Sequence, residues 1–217
     1  MFFIKSYVCR EKKYILKYNL KIHYYWQNYV LLNNDINPYL LFDFRNKIFL
    51  EIGFGNGDNF FFFLNFFKNI NFIRIEIYKS GIYNVLFKFQ YSILNNIKLI
   101  YGNFNYIFKN NIYNNNIDLI KIFYPDPWVK NKHYKRKLIN NDSIFLFFFI
   151  LKKKGKLFIL TDCYQYSLFI KKIFINYYFF IKLYNCFFEI FLNSKFNYKN
   201  LLLNKVIFNF IYYLNKL

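Results

Sequence analysis

The residues best placed to do chemistry lie between Asn116 and Lys137, in the stretch NIDLIKIFYPDPWVKNKHYKRK. Its first half is apolar and predicts a buried strand of a parallel sheet, which must end at Pro125 and Pro127 because proline lacks a backbone donor and fixes φ. Asp126 lies between these prolines, and the basic segment Lys130 to Lys137 follows. Ligands of open α/β sheets bind at the carboxyl ends of strands, so we expect this stiff acidic turn to face an anionic substrate. The rival interpretation is a strand end followed by a solvated basic loop.

A glycine-rich turn, Gly53 to Gly57, follows a second predicted strand, Lys47 to Ile52, and precedes a predicted helix over 59–67. Glycine lets a backbone turn tightly and approach a ligand closely, and the order strand, turn, helix opens a Rossmann-like unit. A dinucleotide fingerprint needs glycine at position 58, where this chain has Asp58. With the acid Glu51 before the first glycine, the spacing instead resembles the first motif of S-adenosylmethionine-dependent methyltransferases.

Two further predicted strands end in polar side chains. Glu76 lies near the end of the strand 71–77, where a carboxylate can accept hydrogen bonds from both ribose hydroxyls of an adenosine ligand. Asn103 follows the strand 97–101, and its amide can hydrogen-bond an adenine edge. For each residue the alternative is an ordinary surface role at a strand end.

The second half of the chain continues the alternation of helices and strands. Asn141, Asp142 and Ser143 supply N-cap residues for a predicted helix to Leu151. Lys152 to Lys154 near its C-terminus complement the helix dipole, and Gly155 breaks it. Asp162 then follows a strand over 156–160. Further helices are predicted over 14–32, 80–94 and 165–177, and further strands near 187–192 and 206–214.

These elements predict one α/β domain over residues 1–217, in which residues 1–45 form a basic, aromatic N-terminal extension. The chain has 31 Lys and Arg against 11 Asp and Glu, a formal net charge of +20, which predicts attraction to polyanions. An AT-biased genome accounts for part of that charge, because Lys belongs to a set of abundant residues with AT-rich codons.

The cysteines are scattered, at Cys9, Cys163 and Cys186, with no Cys/His cluster. We therefore expect no metal site and no disulfide framework, which suits a reducing cytosol. The longest apolar runs are far short of a membrane-spanning helix. The sequence predicts a cytoplasmic protein that does not use a membrane.

Taken together, the motifs resemble those of the bacterial tRNA (guanine-N7-)-methyltransferases. The matching segments run in the family's order over nearly the whole chain: Ile4 to Arg10, Leu50 to Gly57, Ile75 to Ile77, Phe123 to Arg136, Thr161-Asp162 and Ser194 to Phe196. The segment from Phe123 to Arg136 is the most specific of them.

The resemblance implies a class I methyltransferase fold, with a mostly parallel sheet between two layers of helices. It implies methyl transfer from S-adenosyl-L-methionine to N7 of a tRNA guanosine, number 46 of the variable loop in the family, by a monomer or homodimer. Asp126 is then the acid beside the transferred methyl group. The implied cofactor contacts are Glu51, Gly53, Gly55, Gly57, Glu76 and Asn103. The implied substrate contacts are Lys130, Asp162, Ser194, Lys195, Phe196 and Asn197.

Two positions depart from the family pattern: Asn103 stands where the family usually has Asp, and Asn197 where it usually has Glu. They leave open the alternative of a tRNA-binding protein with lost or weak turnover. A second rival is a methyltransferase that acts on amino groups of nucleic acids. Its turn is acid-Pro-Pro-aromatic, however, whereas here Asp126 separates the prolines. Two interpretations of Trp128 also stay open, stacking on a base and filling the core.

Overall fold

The computed structural model describes residues 20–32, 41–42, 46–57, 67–88, 95–110, 116–184 and 206–216. The helices in these ranges are α1 (Leu20–Tyr29), α2 (Lys79–Lys88), α3 (Phe104–Asn110), α4 (Asn141–Ile150), α5 (Tyr164–Phe174) and a 3-10 helix (Asn131–Arg136). The strands are β1 (Val30–Leu32), β2 (Lys47–Ile52), β3 (Ile70–Glu76), β4 (Ile97–Tyr101), β5 (Ile117–Phe123), β6 (Leu151–Thr161), β7 (Phe180–Leu183) and β8 (Phe208–Leu214).

The strands form one eight-stranded sheet in the order β1-β4-β3-β2-β5-β6-β8-β7. The first six strands in this order are parallel to one another. Strand β8 runs antiparallel to both β6 and β7. The predicted α/β fold with a mostly parallel sheet is therefore confirmed.

Helices cover both faces of this sheet. On one face, Leu50 and Ile122 belong to a buried cluster with residues of α3, α4 and α5. On the other face, Phe72 and Leu99 belong to a cluster with residues of α1 and α2. Strands covered on both faces need apolar residues at nearly every position, which explains runs such as Ile117–Phe123. No helix in the described part of the chain is both long and apolar enough to cross a membrane.

The N-cap of helix α4 lies one residue before the predicted cap residues. Asn140 has extended backbone angles and its side chain accepts a hydrogen bond from the N–H of Ser143 at 2.9 Å. The Ser143 hydroxyl in turn accepts from the N–H of Asn140 at 2.9 Å. This reciprocal pair satisfies two N–H groups that would otherwise lack partners at the helix start.

The lysines after α4 do not belong to its last turn. The helix ends at Ile150 and Lys152 to Lys154 lie in β6, so the prediction that they complement the helix dipole is wrong. Lys152 instead binds Asp118 of β5, with Nζ 2.7 Å from Oδ2. A Cβ on Gly155 would lie 2.8 Å from the carbonyl oxygen of Lys152, so this glycine serves a close backbone approach within β6.

Other differences concern short elements. The helix predicted over 14–32 is present as α1, but Val30–Leu32 form β1, a parallel partner of β4. The sequence did not predict β1, α3 or β7. The predicted strand at 187–192, and the predicted helix at 59–67 apart from its last residue, lie outside the described residues.

The cap of α4 gives a direct test of this helix start. We expect Asn140→Ala to lower the free energy of unfolding by about 1 kcal/mol, because the backbone N–H of Ser143 loses its acceptor and the carbonyl of Lys137 loses its donor. Asn141→Ala, an exposed residue of the first turn, is the matched control and should change it by less than about 0.5 kcal/mol. Urea denaturation measures both, and equal losses would contradict the assignment of the cap.

Candidate active site

Five adjacent parallel strands bring the predicted site residues to one edge of the sheet. In the order of the sheet, Asn103 follows β4, Glu76 ends β3, Gly53–Gly57 follow β2, Asp126 follows β5 and Asp162 follows β6. The carboxyl ends of parallel strands share one edge, which is where open α/β sheets bind ligands. The remaining predicted residues, 194–197, lie outside the described residues.

The glycine turn adopts the conformation that its sequence predicts. Gly53, Gly55 and Gly57 have φ values of 77°, 58° and 69°, in a region that side chains with a Cβ rarely enter. The N–H of Gly53 donates to the carbonyl of Ile75 on β3 at 2.9 Å, and the N–H of Gly57 donates to the carbonyl of Phe54 at 3.1 Å. The turn is thus closed on itself and fixed to the neighbouring strand.

The carboxylate of Glu76 holds the same turn from the side of β3. It is buried and accepts from the backbone N–H groups of Gly55 at 2.6 Å, Ile77 at 2.7 Å and Tyr78 at 2.9 Å. Burial raises the pKa of Glu76, and the three hydrogen bonds oppose that rise. Since an ionised carboxylate has about four acceptor positions, these bonds leave room for one further donor. Accepting both hydroxyls of a ribose requires the N–H of Gly55 to move away.

Gly81 of α2 packs directly against the glycine turn. A Cβ at this position would overlap the carbonyl oxygen of Gly55 and would lie 3.5 Å from Cγ of Glu76. Sequence reasoning missed this residue, although an isolated glycine inside a helical pattern often has a packing reason. The first turns of α2 therefore set how closely the helix can approach the loop.

Glu51 has partners within the sheet. Arg74 and Lys121 are its register neighbours on β3 and β5, and they bind its carboxylate at 3.1 Å and 2.8 Å. Burial alone would raise the pKa of Glu51, but the two cations outweigh it and hold the pKa below its usual value. Burial lowers the pKa of Lys121 to about 8, although Glu51 opposes this. A cofactor contact of Glu51 stays a prediction, and it would have to share a carboxylate that two buried cations already bind.

Asn103 caps the short helix α3. Its side-chain oxygen accepts from the N–H of Asn105 at 2.9 Å, and its carbonyl accepts from Tyr106 and Ile107. The adenine contact suggested for Asn103 stays a prediction. The cap orients this side chain at the edge where the glycine turn lies.

The turn that carries Asp126 is conformationally unusual on both sides. Tyr124 and Trp128 have φ values of 51° and 41°, which are uncommon for residues other than glycine and cost free energy. The N–H of Tyr124 donates to the carbonyl of Leu160 on β6 at 2.8 Å, which ties the turn to the strand that precedes Asp162. Asp126 is open to solvent on one side, and partial burial of its carboxyl raises its pKa.

Lys137 binds the backbone of this turn. Its ammonium is largely buried and donates to the carbonyl oxygens of Pro127 at 2.5 Å and Trp128 at 3.1 Å. It also lies 5.0 Å from the ring centroid of Tyr166 and 5.1 Å from that of Phe169. Burial lowers the pKa of Lys137. The basic segment was expected to face an anionic substrate. Its last residue, Lys137, instead binds the turn.

Trp128 lies outside the buried core clusters and is half-buried. The guanidinium of Arg136 is 5.0 Å from its ring centroid, and the ring of His133 meets it edge-on at 5.1 Å. The 3-10 helix therefore packs on the turn through this tryptophan. Lys130, Lys132 and Lys135 of the same basic segment are exposed. In the described ranges, no group of three or more His, Cys, Asp or Glu side chains could hold a metal ion.

The sheet order, the glycine turn and the acid that ends β3 define the Rossmann-like fold of class I methyltransferases. A family model described as "Putative methyltransferase" matches residues 45–184. A solved structure of an antibiotic-related methyltransferase superposes with a TM-score of 0.57 at 18% identity, over 83% of this chain and 96% of that one.

Two relatives identify the family more narrowly, and both are named tRNA (guanine-N(7)-)-methyltransferase. The one from Buchnera aphidicola subsp. Schizaphis graminum (strain Sg) is 34% identical over 169 residues, which cover 76% of this chain and 70% of the relative. The one from Francisella philomiragia subsp. philomiragia is 30% identical over 167 residues, which cover 76% of this chain and 73% of the relative. The chain belongs to the tRNA (guanine-N(7)-)-methyltransferase family.

The contact between α2 and the glycine turn predicts that Gly81 affects cofactor binding. Gly81→Ala gains helix propensity of about 1 kcal/mol, but its Cβ overlaps the backbone carbonyl of Gly55, which must move. We expect affinity for S-adenosylhomocysteine to fall by about tenfold, the scale of one lost buried hydrogen bond, and thermal stability to fall as well.

Ser80→Ala, at the preceding and half-buried position, is the control and should bind S-adenosylhomocysteine normally. Calorimetric titration measures both variants. Normal affinity in Gly81→Ala would show that the approach of α2 does not set the shape of the glycine turn.

Proposed function

We propose that this protein transfers the methyl group of S-adenosylmethionine to N7 of a guanosine in tRNA, at position 46 of the variable loop. One observation carries the proposal. The strand that ends at the Pro125-Asp126-Pro127 turn is hydrogen-bonded to the strand that ends at the glycine turn, with Ile122 opposite Ile52. A cofactor held at the glycine turn and a base held at Asp126 would therefore be neighbours at one sheet edge.

The residues at β2 and β3 fit the cofactor. Gly53, Gly55 and Gly57 have positive φ, and as glycines they carry no side chain that would block a ligand. No atom lies within 4 Å of a Cβ built on Gly53 or Gly55, so there is open space beside the turn. Glu76 retains room for one ribose hydroxyl and gains a second if Gly55 moves. When bound, S-adenosylmethionine supplies a methyl group on a sulfonium, which is an activated leaving group.

The chemistry asks little of the protein beyond position and charge. Guanine N7 has a lone pair and no proton to lose, so transfer needs no general base, and catalysis is mainly alignment of the two reactants. The purine gains positive charge as the bond to N7 forms. Carboxylates of Asp126 and Asp162 would stabilise that charge and accept hydrogen bonds from the guanine N1–H and 2-amino groups. These two acids follow neighbouring strands, β5 and β6.

The basic segment beside the turn is suited to the phosphates of the RNA. Lys130, Lys132 and Lys135 are exposed on and before the 3-10 helix, within a few residues of Asp126. Contacts of this kind fix the register and orientation of a nucleic acid without reading its sequence. The cytoplasmic location and the monomeric or dimeric state stay predictions.

The central test is transfer to unmodified tRNA with labelled S-adenosylmethionine, followed by borohydride and aniline scission at 7-methylguanosine. We expect Asp126→Asn to lower turnover by about tenfold or more, because a charge that stabilises the cationic purine is lost. Cofactor affinity and thermal stability should be nearly unchanged. Asp142→Asn, an exposed acid at the start of α4, is the control and should turn over normally.

The same assay separates the components of the proposal. Scission at a guanosine other than 46 would overturn the position alone. Stoichiometric tRNA binding without scission would favour a binding protein that has lost turnover.

Since the pKa of Asp126 is raised, the unaltered protein should lose turnover as pH falls through that raised value. Asp126→Asn should lack this acid limb, and a limb that persists would place the titration elsewhere.

Salt dependence tests the basic segment. Replacing Lys130, Lys132 and Lys135 together with Ala should reduce the slope of log affinity for tRNA against log salt by up to about 2, at about 0.7–0.9 per lost phosphate contact. The control replaces Lys109, Lys171 and Lys172, which are exposed near the ends of α3 and α5. These helices begin at the site edge, so their ends lie away from it. Equal slopes for the two triple variants would make the basic segment an ordinary solvated loop.

A further inference from the structure

A pocket of about 180 Å³ lies beside the Asp126 turn and is open to solvent. The turn, the 3-10 helix and the first half of α5 line it. Its lining includes Trp128, Lys130, Asn131, Tyr134, Gln165 and Phe169. Of these residues, the mechanism above uses only Lys130.

The size of the pocket limits what it can hold. An engineered cavity of roughly 150 Å³ accommodates one benzene ring, whereas sites for drug-sized ligands span roughly 300–1,000 Å³. At about 180 Å³ the pocket suits a single heterocyclic ring system and is too small for a whole nucleoside cofactor.

The lining has the composition of a nucleotide site. Among the described residues that line it there is no carboxylate, and Lys130 supplies an exposed cation, whereas the ammonium of Lys137 is bound to the turn. Tyr134 is 53% exposed and meets Phe169 edge-on at 5.3 Å, so it offers an aromatic surface at the rim. Single-stranded nucleic acids bind to such arrangements by stacking bases on aromatic rings while cations hold the backbone. The amide groups of Asn131 and Gln165 can pair with the edge of a base.

The pocket is distinct from the place where the reacting guanine must lie. Its lining contains neither Asp126 nor Asp162, and it contains no residue of the glycine turn. A base in it would lie against Pro127 and Trp128, next to Asp126 in the chain. The pocket therefore fits a second nucleotide of the same RNA.

We propose that this pocket binds the base of a nucleotide adjacent to the methylated guanosine, with the intervening phosphate on Lys130. The proposal rests on the proposed function, since it takes tRNA as the substrate. Such a contact holds the RNA at a second place beside the turn that carries Asp126. It uses stacking, which tolerates any base, and so orients the strand without requiring a particular sequence.

The test combines protein variants with altered RNA. Tyr134→Ala removes the aromatic rim and Gln165→Trp fills the pocket; Tyr178→Ala removes an exposed tyrosine outside it and is the control. The RNA set is the tRNA itself and two analogues, each with an abasic nucleotide on one side of the guanosine. Binding is measured by filter retention in the presence of S-adenosylhomocysteine, which needs no turnover.

We expect Tyr134→Ala and Gln165→Trp to weaken binding of the intact tRNA by about fivefold or more, and Tyr178→Ala to leave it unchanged. One abasic analogue should bind the unaltered protein as weakly as the intact tRNA binds the two variants. Its affinity should not fall further when either variant replaces the unaltered protein. The proposal is overturned if both variants bind normally, or if the losses from protein and RNA multiply. A protein that forms no 7-methylguanosine yet shows this pattern would refute the proposed activity and leave the pocket assignment standing.

Discussion

A buried carboxylate joins the two strands on which a cofactor would rest. Glu76 accepts three backbone N–H groups, one of which belongs to the glycine turn after the neighbouring strand. An isolated buried charge would be costly, so these hydrogen bonds are what allow an ionisable group to remain there. The turn, the end of β3 and the start of α2 consequently form one unit, with Gly81 in contact with Gly55. A ligand that donates two hydrogen bonds to Glu76 must therefore displace one of these bonds, because the carboxylate has room for only one further donor.

Buried cations also stabilise the backbone and the side chains around the site. Lys137 binds the carbonyls of the Asp126 turn, and Lys121 lies with Arg74 against Glu51 inside the sheet. Each of these buried side chains has oxygen partners, as buried charges require. In a chain with a net charge of +20, some of the basic residues thus stabilise the fold, while exposed ones such as Lys130, Lys132 and Lys135 can attract a polyanion.

Apart from the short edge strand β1, the strands of the parallel sheet were predictable because both of their faces are buried, which makes them continuous apolar runs bounded by glycine, proline or asparagine. The acids and glycines at their ends followed from this order. Pairwise relations were not predictable: the register that sets Arg74 and Lys121 beside Glu51 depends on neighbouring strands. The lysines at 152–154 misled for a similar reason, since the pattern does not show that Lys152 faces Asp118 across a strand pair. Lys137 looked like its exposed neighbours, although the apolar Leu138 and Ile139 that follow signal a return to the core.

The Asp126 turn shows why this site requires so much support. Left-handed backbone at Tyr124 and Trp128 costs on the order of 1–3 kcal/mol at each residue, and it persists only where the surroundings fix it. The bond from Tyr124 to Leu160 fixes one side, and the ammonium of Lys137 fixes the other. For a reaction that needs no proton transfer before attack, alignment is the main contribution that a protein can make. Under the proposed function a strained turn held at both ends would meet that need, because the backbone of Asp126 is fixed before an RNA binds.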